Sequence, residues 1–311
     1  MTNRRLIDLT ALSTVFPHEV APAAALVHLG LPAATIKGNC APSGPWQRLY
    51  PGVVQLTNTA PTRRQKVQGA LLYIGGSIVT GPDALALHGV RMSTVNERIH
   101  LLVPRNHRVR GITTIRVERT PTPPRPMMRQ GLLVAPLARA AMDTARRMTA
   151  YQEVFTLFKE VVFQHGVRLD ELHNELVVGG GRAPLPKRAL HEIGVRIHAD
   201  VTRSAQLLVQ RAGLPPPQWD VPVADPAGNP LGTVTGTWED IGLAWDVHSF
   251  DFDPLPASYP TALKRGSLLA AQGLRVVHTA ATQIRASPDT VIDDLRAAHR
   301  QASPELAVCG T

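Results

Sequence analysis

Asp246 and His248 stand two residues apart in GLAWDVHSFDFD (242–253), with Asp251 and Asp253 close behind. On an extended chain successive side chains alternate, so Asp246 and His248 share a face with Phe250 and Phe252. Asp251 and Asp253 fall on the opposite face or past the strand's end. An apolar run that delivers a carboxylate and an imidazole to one face suits metal-assisted hydrolysis, where hard oxygen ligands hold Mg²⁺ and a neighbouring group activates water. Glu239 and Asp240, in the turn before this strand, are the acids that could complete such a set.

Other chemistries have less support. Cys40 and Cys309 are the two cysteines, with no C-x-x-C pair and no histidine at zinc-ligand spacing, so they read as reduced thiols rather than a zinc site or a disulfide framework. GGGRAP (179–184) lacks the Lys-Ser/Thr of a phosphate loop, and neither G-x-S-x-G nor H-E-x-x-H occurs.

A second group of residues suits nucleic-acid contact. PAATIKGNCA (32–41) places Thr35, Lys37, Gly38 and Asn39 on a short polar helix. Asn can pair bidentately with adenine, and Lys can reach guanine or a phosphate. Gln47 and Arg48 lie in a β-type run just after it, Arg63 and Arg64 open a later helix, and Arg105, His107, Arg108 and Arg110 crowd the link between two β-rich runs. Net charge is +9, and it is lopsided: residues 1–150 hold 19 Lys and Arg against 6 Asp and Glu, while 151–311 hold 14 against 18. Lys and Arg neutralise phosphates and steer polyanions, so the N-terminal half is the expected nucleic-acid side.

These residues need elements to position them. A chain of 311 residues, 44% of them hydrophobic, implies two or three cores. LIDLTALSTV and HEVAPAAALVHLG predict two helices, the second with Val20, Ala24, Val27 and His28 on one face. Gly30 ends it, and Pro32 opens a third helix, where a missing N–H does no harm. Trp46–Tyr50 and Val53–Leu56 flank a Pro-Gly turn and predict a hairpin. Helix, tight turn, helix, hairpin is the order of a winged helix-turn-helix, expected over 1–60. Residues 61–180 predict a basic α+β region followed by helices, with RIHLLVP (98–104) and GITTIRVERT (111–120) as a hairpin whose tip carries the arginines and 121–131 as a Pro-rich loop. GGGRAPLP (179–186) predicts the main linker. Residues 187–311 then read helix, three strands, helix, strand, helix, a mixed sheet flanked by helices. The expected class is therefore mixed α+β. No stretch approaches the roughly 18 apolar residues of a membrane span, and the N-terminus lacks a secretory h-region, so a cytoplasmic location without membrane contact is expected.

Two resemblances follow from these phrases. GPWQRLYPGVVQL, with the helix-turn-helix before it and SIVTGPDALALHGV and RIHLLVP after it, resembles AbiEi-type antitoxins of actinobacterial type. That likeness implies a transcriptional regulator of bacterial or phage origin, bound to double-stranded DNA at the nucleoid, with a cognate toxin as partner and autorepression of their operon. Residues 187–302 resemble the PD-(D/E)XK nuclease fold in its very-short-patch-repair-like branch, which holds Mg²⁺ on strand and helix carboxylates with a lysine beside the attacking water. Placed on this sequence, the second-strand Asp falls at Thr235, the third-strand acid at Asp246, the Lys at His248 and the first-helix Glu near Gln206. One carboxylate of the set survives, which implies a degenerate nuclease domain with no catalytic residues and no cofactor. The alternative is a Mg²⁺-dependent endonuclease rebuilt around Asp246, His248, Glu239 and Asp240.

Overall fold

The computed structural model describes residues 12–91, 98–248 and 258–303, and divides the chain into two compact units, Met1–Met148 and Thr149–Thr311. Asp251, Asp253, Phe250 and Phe252, singled out above, lie outside the described residues, as does Cys309.

The first unit begins with α1 (Leu12–Val15), a 3₁₀ turn at Pro17–Glu19, β1 (Val20–Pro22), α2 (Ala23–His28), α3 (Ala33–Asn39), β2 (Gln47–Tyr50) and β3 (Val53–Gln55). Leu12, Leu26, Leu31, Ile36, Trp46, Val54 and Leu56 form its core. Gly30, at φ 103°, turns the chain between α2 and α3, a conformation that suits glycine, and Pro32 stands at the N-cap of α3. The expected second helix is shorter than the sequence suggests. His18 and Glu19 take left-handed conformations, and Val20–Pro22 pair antiparallel with β3 (Val20↔Gln55) in a three-stranded sheet ordered β1-β3-β2. The gain is a third strand for a hairpin that alone would be marginal. The helix face is also corrected: Leu26 is the buried residue of α2, while Val27 is 48% exposed.

Next come α4 (Arg63–Tyr73), β4 (Ile78–Thr80), α5 (Gly81–Leu87), β5 (Ile99–Pro104), β6 (Ile115–Thr120), β7 (Met127–Arg129), β8 (Leu132–Val134) and α6 (Leu137–Ala145). Thr62 and Gln65 cap α4 reciprocally, each side chain satisfying the other's backbone N–H. The five strands are ordered β6-β5-β4-β8-β7. β5 and β6 run parallel, Ile99↔Ile115 through Pro104↔Thr120, so the expected hairpin is absent. The link between them returns along the sheet, and Arg119 holds it there by donating to the carbonyls of His107 and Val109. β7 and β8 pair across Gln130 and Gly131, both at positive φ, in a stretch expected to be a Pro-rich loop.

The second unit contains α7 (Tyr151–Phe163), α8 (Leu169–Val178), α9 (Pro184–Ala212), β9 (Gln218–Ala224), β10 (Pro230–Trp238), a 3₁₀ turn at Glu239–Ile241, β11 (Leu243–His248), α10 (Ser258–Ala271), β12 (Arg275–Ala280), α11 (Ala281–Ala286) and α12 (Pro288–Ala302). β9, β10 and β11 are antiparallel, β11 and β12 parallel, and the order is β12-β11-β10-β9. This is the strand and helix sequence expected from residue 187 onward, with α11 added. The boundary is not where the glycines are. Gly180 and Gly181 donate to the carbonyls of Val177 and Leu176 at left-handed φ, closing α8 rather than releasing a linker. α9 starts three residues later and buries Leu190, Ile193, Ile197, Val201, Ala205 and Leu208 along one stripe, so the helical segment belongs with the sheet that follows.

Candidate nucleic-acid interface and the Asp246 site

The tight turn at Gly30 and the anchoring of Leu31 and Ile36 in the core orient α3 so that Thr35, Lys37 and Gly38 face solvent. Asn39 is different. Its side-chain N–H₂ is buried without a hydrogen-bond partner, so the predicted adenine contact lacks a reachable donor; its backbone carbonyl accepts from Trp46 N at 3.0 Å. Arg48 is exposed on β2 and reaches the Cys40 thiol, which burial raises above its usual pKa against the lowering effect of that arginine. Gln47 is half-buried, and its side-chain amide donates to the Thr59 carbonyl.

Arg63 and Arg64 are engaged elsewhere. Arg63 forms a bidentate pair with Asp83 at 2.7 and 2.8 Å, and Arg64 donates to Gln130 Oε1. Both read as free phosphate contacts in the sequence, because neither tertiary partner is near them in the chain. Arg105, Arg108 and Arg110 are exposed on the β5–β6 crossover, and His107 is pinned beside them to the Gly75 carbonyl at 2.8 Å.

Beneath the first unit's surface lies a charged cluster the sequence reading missed. Asp143, 1% exposed, accepts from Thr80 Oγ1 at 2.7 Å, from Arg139 at 2.9 Å and from Arg146 at 3.2 Å. Glu118 accepts from Arg147 at 2.8 Å and meets His100 Nε2 at 3.1 Å. The available signal was Arg139 and Asp143 at i,i+4 in the small-residue helix LARAAMDTA, a spacing that pairs charges whether the helix face is wet or buried.

The His100 hydrogen bond, opposed by burial and helped by Arg147, holds the Glu118 carboxyl at about 2, below its ordinary 4.5. A carboxylate whose folded pKa is depressed contributes stability that is present above the unfolded pKa and lost as pH falls through the folded one. Between pH 4.5 and about 2 the protein should therefore lose stability that Glu118→Gln does not lose. Urea unfolding at stepped pH reads this directly; equal slopes for both proteins in that window would rule it out.

In the second unit, Asp246 is 1% exposed and paired with Arg265 of α10, whose Nη2 and Nε lie 2.9 and 3.2 Å from Oδ2 and whose Nη2 lies 3.1 Å from Oδ1. Arg265 Nη1 donates to the Leu231 carbonyl at 3.1 Å, passing Gly232, where a Cβ would stand 3.1 Å from it. The β10–β11 register, Gly236↔Trp245, puts Thr235 opposite Asp246. Thr235 Oγ1 accepts from Val247 N at 3.0 Å. A guanidinium thus sits against the carboxylate, and a threonine that adds no charge stands across the ladder. Glu239 and Asp240 lie at the hairpin's turn, beyond the Trp238↔Leu243 pair that is itself three rungs from Asp246, and are exposed. Gln206 is half-buried on α9, and the backbone of His248 pairs with Ala280. Among the described residues no group of three or more His, Cys, Asp or Glu could hold a metal ion. No helix among them is long and apolar enough to cross a membrane.

No protein-family profile and no curated protein matches this chain. Among solved structures it is similar to the RV2827C protein of Mycobacterium tuberculosis, at 16% identity and a TM-score of 0.43, over 59% of this chain and 73% of that one. A likeness that distant assigns neither fold nor activity.

Proposed function

We propose that this chain is a sequence-specific transcriptional regulator of double-stranded DNA, with a winged helix-turn-helix in its first unit and a degenerate PD-(D/E)XK domain in its second. The observation that carries the reading is the exposure of Thr35 and Lys37 on α3, with Lys37 lining one cleft together with Arg48 of the β2–β3 hairpin. In a winged helix-turn-helix the corresponding helix enters the major groove, and its N-terminal residues contact base edges. Thr35 and Lys37 are the readers, Arg48 a backbone contact, and Arg105, Arg108 and Arg110 a further phosphate-contacting group. The second unit serves contact rather than cleavage, because Asp246 is neutralised by Arg265 and faces Thr235. The resemblance to AbiEi-type antitoxins adds a toxin partner and autorepression of a shared operon.

The test is a mobility shift on the promoter of the protein's own operon across a salt series. Binding should weaken steeply with salt, because each neutralised phosphate releases counterions. Lys37→Ala should lower affinity about tenfold and relax the sequence preference, and Arg48→Ala, as a backbone contact, should reduce the salt slope by about one. Affinity indifferent to both salt and Lys37 would sink the reading. Plasmid incubated with Mg²⁺ or Mn²⁺ provides the second arm: cleavage abolished by Asp246→Ala would replace it with the endonuclease alternative.

A further inference from the structure

A cleft of about 630 Å³ opens between α2, α3 and the β2–β3 hairpin. Val27, Ile36, Leu49 and Val53 supply apolar lining, and Lys37 and Arg48 are its cations. No Asp or Glu lines it. Its size lies within the roughly 300–1,000 Å³ of small-molecule sites, which join an apolar lining to a few polar groups that fix orientation. Val27 stands 48% exposed on a helix that otherwise buries Leu26, so the apolar wall is open to a ligand rather than packed away. A sugar-phosphate backbone would satisfy the cations and leave this wall without a partner. Two cations, no acid and an apolar wall select an occupant with one anionic end and a hydrocarbon body.

We propose that this cleft binds a small apolar carboxylate, with Lys37 and Arg48 as its counter-ions. The regulatory part rests on the DNA reading above: Lys37 and Arg48 would serve both ligand and DNA, so an occupied cleft competes with DNA for them. The carboxylate is an effector that releases the regulator.

Isothermal titration of the full-length chain with octanoate and with benzoate, against octanamide and benzamide at equal ionic strength, tests the site without DNA. At least one carboxylate should bind, with its amide about tenfold weaker, the 1.4 kcal/mol scale of one charge-assisted contact. Arg48→Gln should weaken carboxylate binding by a similar factor, and Val27→Trp, an exposed substitution that fills the cleft, should abolish it. No binding of either carboxylate, amides as good as acids, or affinity unchanged in Val27→Trp would overturn the proposal. The bound carboxylate should then release operator DNA from the wild-type chain and not from Val27→Trp; release from both, or from neither, overturns the competition. Carboxylate binding by a protein that binds no DNA would leave the site standing and remove the DNA reading.

Discussion

Arg265→Ala is expected to destabilise the second unit by about 3–5 kcal/mol, the range for removing one partner of a buried ion pair. The cost comes from what remains. Asp246, 1% exposed, would lose the guanidinium that now answers both of its oxygens. Arg265 also supports the Leu231 carbonyl, so its loss reaches the start of β10. Asp246→Leu with Arg265→Met should recover most of the loss, because replacing both charges with apolar groups of similar volume removes the desolvation penalty along with the attraction. Urea unfolding of the three proteins, with hydrogen exchange read across β9–β12, measures it. The same variant separates a contact domain from a nuclease. If Asp246 were a metal ligand, freeing it from Arg265 would let Mg²⁺ restore stability, since anything that binds only the folded state stabilises it. With Thr235 contributing no charge, one carboxylate should hold the ion too weakly, and Mg²⁺ should leave the Arg265→Ala midpoint where it is. A midpoint that climbs with Mg²⁺ would argue for the rebuilt active site.

The second large effect belongs to Asp143. Asp143→Ala is expected to cost the first unit about 3 kcal/mol, because it takes from Arg139, 4% exposed, the carboxylate its Nε donates to and leaves it weaker partners such as Glu118 at 3.8 Å. The carboxylate ties α6 to the sheet through Thr80 of β4 at 2.7 Å, so amides of β4 and β5 should lose hydrogen-exchange protection together. Asp143→Asn keeps the shape and some of the hydrogen bonds but not the charge, and should fall between the two. If Asp143→Ala unfolds with the wild-type midpoint, the cluster contributes nothing to stability.

Much of the chain was readable in advance. The β2–β3 hairpin, β4 leading into α5, and the order of elements after residue 187 follow from runs whose period and flanking Pro or Gly agree with each other. The failures share a cause. The segment 18–22 reads as the start of a helix in isolation, and only pairing with β3 makes Val20–Pro22 a strand. RIHLLVP and GITTIRVERT look like a hairpin because only a short basic link separates them, yet the strands they contain, Ile99–Pro104 and Ile115–Thr120, lie parallel. Gly180 and Gly181 signal a break in helix geometry, which a C-cap and a linker share.

By itself the sequence determined composition and periodicity: where basic residues concentrate, which runs favour helix or strand, and that Thr235, His248 and Gln206 stand at positions where the nuclease resemblance expects catalytic groups. These are local properties, set by residues close in the chain. Tertiary structure decided which charges remain available. Arg63 is taken by Asp83, Arg64 by Gln130 and Asp246 by Arg265, partners 20, 66 and 19 residues away. A cation read from sequence is a free charge; in the fold it is free only where no carboxylate or amide has been brought against it, and Coulomb attraction depends on distance through space rather than along the chain.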